Sequence, residues 1–239
     1  MVYVGFTVLQ MSLLRIAGMP LFDAICHAFT TMPTGGFSTQ NASIAAYNSP
    51  LIQYIIIFFM FVAGINFTLH FRAITGNFTA LFKDYELKVY ILTIIFATSV
   101  IFMSISSSSS DWSHNGFMVS LFQSIAIMTG TGYANADYEM WPYFCQLALF
   151  ILMFFGAMGG STSGGMKLTR IILLIKYAAT ETRRMLHSRA IIPLRIGERS
   201  IGDDIVRNTL GFFLIYLSIF VLTALVLTCL LYTSDAADE

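Results

Sequence analysis

Charge is what this sequence has least of. Only 11% of its 239 residues are Asp, Glu, Lys or Arg, where a soluble domain carries about a quarter. Hydrophobic residues make up 56% of the chain and its mean hydropathy is +0.74, which excludes an ordinary water-soluble domain and makes it an integral membrane protein. Cysteine is scarce as well. The three, Cys26, Cys145 and Cys229, lie in apolar segments without ligand spacing, so they read as packing thiols rather than disulfide or metal ligands. The histidines His70, His114 and His187 show no metal-ligand spacing either, and no cofactor is expected. Around the first apolar run, residues 1–16, both a basic n-region and an A-x-A-like cleavage site are missing. That run therefore reads as the end of a spanning helix inside a larger protein, not as a signal peptide.

Long apolar runs are plentiful. Residues 51–71, 87–105, 142–157 and 209–232 approach or exceed the roughly 20 helical residues that cross a bilayer. Of the thirteen basic residues, twelve fall in two connections, residues 72–88 and 167–207, and only Arg15 stands apart. The positive-inside rule makes both connections cytoplasmic. The alternation of apolar and basic residues in 167–207 favours a place at the membrane surface over a nucleic-acid patch.

Two glycine runs interrupt the lipid-like chain: Thr34, Gly35, Gly36, Phe37 and Gly130, Thr131, Gly132, Tyr133. Each follows an apolar helix too short to span, residues 20–32 and 112–128, and each precedes a polar stretch, a proline and the next long apolar run. Gly36 and Gly132 are 96 residues apart, and the same offset pairs Phe37 with Tyr133 and Met32 with Met128. This is an internal repeat of helix, half-helix with loop, and helix. Irregular backbone at membrane depth is tolerated where it is buried in protein or lines a watery cavity. A half-helix aims the negative end of its dipole at the loop that follows, which favours a cation there. The eight carbonyls of the two runs are thus candidates for an ion filter facing the outside, although glycine and threonine are also ordinary turn residues. Pro20 suits the first turn of one half-helix, and Asp111 the N-cap of the other.

A third segment breaks an apolar run. Residues 156–165 contain Gly156, Gly159, Gly160, Ser161, Thr162, Ser163, Gly164 and Gly165, with only Ala157 and Met158 besides, a composition that frays a helix. It suits a flexible gate or a small-residue helix contact. Gly160 and Gly165 have phosphate-loop spacing, but Met166 stands where such a loop needs lysine, so that reading is rejected. Asp23 and His27, four apart on the first half-helix, would be the acid and base of an intramembrane hydrolase. No nucleophile elbow accompanies them, so they read as hydrogen-bonding residues beside the pore. Asp137 and Glu139, beyond the second glycine run, read equally as cation-attracting mouth residues or as solvated surface.

The run from Cys26 to Thr31 with Thr34–Thr39 and Asn41–Ile44 closely resembles the second pore loop of the Trk-type potassium transporter membrane subunit, of the Trk/Ktr/HKT superfamily. Residues 128–133 resemble the third pore loop, 159–167 the broken second helix of the third repeat, and 195–213 the lead-in and first helix of the fourth. The resemblance covers about residues 1–231 and implies an all-α integral membrane fold, one quarter of a pseudo-fourfold pore per repeat. On this reading residues 1–80 are the second repeat, truncated at its start, and 81–190 the third. Residues 191–232 are then the first helix of the fourth repeat, and 233–239 a non-native tail. The resemblance also implies potassium uptake with no catalysis. The ion would pass the carbonyls of both glycine runs and a gate at 156–165 in a bacterial inner membrane. A sodium-conducting relative is the alternative, since serine at an equivalent filter position favours sodium in related plant transporters. Implied partners are potassium, lipid, a cytosolic nucleotide-binding regulatory subunit and a second copy in a homodimer. Nucleic acid is not among them.

Overall fold

The computed structural model describes residues 1–108, 116–186, 194–196 and 199–235, and they are mostly helical. The chain falls into two compact units, Met1–Thr169 and Arg170–Glu239.

In the first unit α1 (Val2–Ile16), the half-helix α2 (Leu21–Thr31) and α3 (Pro50–Ala63) pack together, and α4 (Phe67–Ile74) and the short α5 (Thr79–Lys83) follow. The order then repeats with α6 (Tyr85–Ser108), the half-helix α7 (Gly116–Met128) and α8 (Tyr143–Phe154). Met32, Phe59 and Ala63, with Tyr3, Phe6 and Phe67 against them, hold the first triplet. Ile101, Val119, Trp141, Cys145 and Leu149 hold the second. Each glycine run thereby follows the C-terminal end of a half-helix that packs against the helices before and after it in the chain. α7 is the more enclosed of the two, with Phe122, Gln123, Ser124, Ile125 and Ala126 all buried.

Among the described residues α6 and α10 (Asp203–Asp235) are long and apolar enough to cross a membrane. The 24 residues of α6 rise about 36 Å at ~1.5 Å each, more than the ~30 Å of hydrocarbon. Residues 51–71, expected as one span, instead form α3 and α4 bent by 100°. The cause is local. Asn66 accepts the Thr68 N–H at 2.8 Å and so starts a new helix, while Gly64 lets the Tyr90 side chain lie where a Cβ would be. Residues 142–157 likewise give only the 12-residue α8, because the Gly156 N–H is taken by the Met166 carbonyl at 2.8 Å instead of continuing the helix. Pro20 sits one place outside its helix, as the extended N-cap of α2, whereas Pro50 occupies the first turn of α3. Asp111, with residues 112–115, His114 and His187, lies outside the described residues. Cys145 is buried, Cys26 is half-buried and Cys229 is exposed on α10, so the packing role expected of all three holds fully only for Cys145.

In the second unit α9 (Leu168–Leu186, entering from the first unit) leads to a two-residue antiparallel pair, β1 (Arg195–Ile196) with β2 (Arg199–Ser200), and then to α10. Leu173, Leu194 and Val206 form its core. Two basic side chains are held within it: the Arg170 guanidinium lies 3.8 Å from the Phe212 ring centroid, and Lys176 donates to the Arg195 carbonyl at 3.0 Å. The expected tail at 233–239 begins inside α10, and residues 236–239 lie outside the described residues.

Candidate functional site: two glycine loops and the segment between α8 and α9

The two glycine loops have one hydrogen-bond register. In the first, Gly36 N–H donates to the Thr30 carbonyl at 3.2 Å and Thr34 N–H to Thr31 at 3.0 Å. In the second, Gly132 N–H donates to Ala126 at 3.0 Å and Gly130 N–H to Ile127 at 3.0 Å. Both pairs coincide under the 96-residue offset seen in the sequence. Backbone conformation coincides too: Thr34 (φ 56°) and Gly36 (69°) match Gly130 (71°) and Gly132 (76°), while Gly35, Phe37, Thr131 and Tyr133 keep negative φ. Alternating left-handed with ordinary residues abolishes the pleat that sends successive carbonyls to opposite sides of a strand. The loops meet at Gly36, where an added Cβ would fall on the Thr131 carbonyl oxygen.

Thr34 is the one non-glycine among these four left-handed positions, and such a conformation needs external support. Its hydroxyl supplies part of it, lying 2.7 Å from the Pro33 carbonyl and 3.1 Å from that of Thr162. The flanks of the loops are also tied. Ile44 and Ala45 N–H groups donate to the Ala134 carbonyl at 3.0 and 3.2 Å, and Asn135 Nδ2 donates to Gln53 Oε1 at 3.2 Å. Asp137 caps a single turn by accepting the Glu139 N–H at 3.1 Å.

Asp23 and His27 brace the first loop. Asp23 Oδ1 accepts the Thr39 hydroxyl and Oδ2 the Tyr47 hydroxyl, both at 2.8 Å. His27 Nδ1 lies 2.7 Å from the Asp23 carbonyl, which makes it the donor, and its Nε2 is then left to accept from Ser38 Oγ at 3.0 Å. Ser38, His27 and Asp23 are therefore neighbours, but the Asp23 carboxylate is spent on Thr39 and Tyr47 and never reaches the imidazole. The orienting bond that a hydrolytic triad requires is made by a backbone carbonyl instead.

The segment between α8 and α9 lies against the first loop. Thr162 Oγ1 is 2.8 Å from the Met32 carbonyl at the end of α2 and 3.2 Å from Ala63 at the end of α3. The two broken helices bond to each other: Met158 N–H donates to Gly64 at 3.1 Å and Phe67 N–H to Gly160 at 3.2 Å. At its root Gly159 N–H donates to Glu86 Oε1 at 2.7 Å, and Leu168 N–H donates to Ala157 at 3.1 Å. The Lys167 ammonium reaches back to the carbonyls of Ser161 and Ser163. Gly164 N lies against Gly130, 3.7 Å from where its Cβ would be. Gly160 and Gly165 are left-handed (φ 77° and 68°), as a tight re-entrant path requires.

Sequence reasoning passed over Glu86, Lys167 and the Thr30 and Tyr133 hydroxyls. Glu86 carried a usable signal: a carboxylate opening a long apolar span must find a partner. The hydroxyls carried none, since their partners are set by how two loops pack.

A family profile described as TrkH, cation transport protein, matches residues 1–234. The chain is 34% identical over 236 residues to the Trk system potassium uptake protein TrkH of Salmonella typhimurium, covering 94% of this chain and 47% of that protein. It is 36% identical over 225 residues to the protein of the same name from Halomonas elongata, covering 92% and 46%. The crystal structure of the potassium transporter TrkH from Vibrio parahaemolyticus superposes with a TM-score of 0.86 at 34% identity, covering 92% of this chain and 48% of that one. The chain spans about half the length of the curated relatives it matches.

Proposed function

We propose, since this chain belongs to the TrkH family of cation transport proteins, that it supplies two of the filter loops and the gate of a potassium uptake pathway. The observation that carries this reading is the duplicated loop: two runs, one register, the same alternation of left-handed residues, each at the negative end of a half-helix. Backbone carbonyls freed from a pleat and converging on one passage replace the hydration shell of an entering cation. Potassium is the ion in the relatives' names. The carbonyls of Thr34, Gly35, Gly36, Gly130, Thr131, Gly132 and Tyr133 are the binding atoms. That of Phe37 shares its lone pairs with the Thr30 hydroxyl at 2.8 Å.

Below the filter, residues 156–165 form the gate. Thr162 joins it to both the α2 terminus and Thr34, so a displacement of this segment is felt at the first loop. Residues 1–80 and 81–190 act as the second and third pore repeats, with 191–232 opening the fourth. The filter loops face outward, the basic connections face the cytoplasm of a bacterial inner membrane, and a cytosolic nucleotide-binding subunit docks on them. The assembled transporter is a homodimer and performs no catalysis.

The test is rubidium influx into cells lacking their own potassium uptake, expressing the full-length gene with its regulatory partner. Influx saturable by potassium is expected; no influx above the empty vector overturns the proposal. Sodium influx equal to that of rubidium would favour the sodium-conducting alternative.

A further inference from the structure

Tyr133 is 0% exposed, while Phe37, its counterpart in the first loop, is 77% exposed. The difference is that Tyr133 inserts its ring across the loop boundary and places its hydroxyl among the polar groups of α2. That hydroxyl lies 2.5 Å from Thr30 Oγ1, 3.3 Å from Thr31 Oγ1 and 3.3 Å from the His27 carbonyl. Thr30 Oγ1 in turn lies 2.8 Å from the Phe37 carbonyl, closer than the Cys26 and His27 carbonyls at 3.0 and 3.3 Å. Each hydroxyl has one hydrogen, and with that of Thr30 given to its nearest carbonyl acceptor, Phe37, the 2.5 Å contact falls to the hydrogen of Tyr133. Tyr133 O–H donates to Thr30 Oγ1, and Thr30 O–H donates to the Phe37 carbonyl.

We propose that this relay, Tyr133 to Thr30 to Phe37, is a brace between the two loops and that it sets the discrimination between potassium and sodium. The proposal rests on the filter reading above. A carbonyl ring favours the larger dehydrated cation when it cannot contract around the smaller one, and contraction of the first loop requires the Phe37 carbonyl to leave Thr30. Holding Thr30 by a second hydroxyl, itself fixed in a fully buried ring from the other loop, opposes that movement. Tyr133 and Thr30 are positioning residues here; their side chains do not touch the ion.

Tyr133→Phe tests the brace with little threat to folding. The ring stays in its pocket, and Thr30 keeps the Cys26 and His27 carbonyls as acceptors, so its hydrogen is free to swing away from Phe37. Rubidium and sodium influx would be measured in the cells described above, from the full-length gene, with membrane abundance checked on each variant. Tyr133→Phe and Thr30→Val should each lower the rubidium-to-sodium ratio by about fivefold, the scale of one neutral hydrogen bond. The double variant should be no worse than the stronger single, and Thr30→Ser, which keeps the hydroxyl, should match the wild type. An unchanged ratio in Tyr133→Phe overturns the brace, as does additivity in the double variant. Gly36→Ala separates the two levels of the argument. Wild-type discrimination in that variant overturns the filter itself, whereas an impaired Gly36→Ala beside an unaltered Tyr133→Phe overturns only the brace.

Discussion

At the scale of the residue, the four left-handed positions are not equivalent, and the difference is measurable. Gly36 and Gly132 occupy the same place in the repeat with nearly the same φ, 69° and 76°. A methyl added at Gly36 would strike the Thr131 carbonyl oxygen, while one added at Gly132 would meet nothing within 4 Å. Gly132→Ala then carries only the left-handed penalty, about 1–2 kcal/mol. Gly36→Ala adds a backbone collision that displaces the Thr131 carbonyl, one of the proposed filter atoms. Rubidium influx at matched membrane abundance should therefore fall clearly further in Gly36→Ala than in Gly132→Ala. Equal losses would mean that the loops do not touch in the working protein. The glycine at both positions was legible in the sequence because φ > 0 is a demand of the local backbone. Their unequal neighbourhoods were not, because the collision at Gly36 comes from a residue 95 positions away.

At the scale of the element, the proposed gate, residues 156–165, is held in part by side-chain bonds that single substitutions can remove. Thr162 Oγ1 lies within reach of the Met32 and Ala63 carbonyls, and the Lys167 ammonium bonds the Ser161 and Ser163 carbonyls. Thr162→Val preserves shape and removes the first tie. Lys167→Met removes the second, a charge-assisted bond of about 1.5–3 kcal/mol. If these bonds hold a gate shut, both variants should raise rubidium influx several-fold in cells lacking the regulatory partner. A fall in influx with normal membrane abundance would make the segment a permeation support instead of a barrier. Glu86 is the third tie, accepting the Gly159 N–H. Glu86→Gln keeps an acceptor oxygen and should raise unregulated influx less than Glu86→Ala in the same assay.

The glycine-rich composition of residues 156–165 announced a break, and a break is there. The apolar run 51–71 announced a continuous helix, and the chain bends by 100°. Hydropathy averages over the three residues Gly64, Ile65 and Asn66 that make the turn. Their decisive property is external: the Gly64 carbonyl and the Phe67 N–H bond the other broken helix at Met158 and Gly160. Each break satisfies backbone groups that the other exposes, which is the condition for irregular chain at membrane depth.

At the scale of the whole molecule, the protein's surface is that of a chain surrounded by lipid and by other helices. Leu92, Ile95, Phe96 and Met103 on α6 are exposed, and Leu214, Ile215, Leu222 and Leu225 on α10 are each more than 60% exposed. In water such faces would aggregate. The proposed orientation can be read directly by labelling. With Cys26, Cys145 and Cys229 replaced, Gln40→Cys should react with an impermeant maleimide in intact cells, and Arg183→Cys only after the inner face is exposed. Both side chains lie exposed at the surface. The opposite pattern would invert the proposed orientation and leave the basic connections outside.

What the sequence by itself determined follows from properties that short stretches carry alone. Hydropathy specified a membrane protein, the spacing of basic residues proposed its orientation, and the 96-residue offset announced two equivalent loops ending in glycine and an aromatic ring. What only the tertiary structure decided depends on distant residues meeting. Tyr133 reaches Thr30 across 103 positions, Thr162 reaches Met32 across 130, and Gly159 finds Glu86 across 73. In lipid an unpaired polar group has no water to turn to. The partners of these hydroxyls, carbonyls and carboxylates are therefore chosen by how the helices pack, and packing is not written in any one segment.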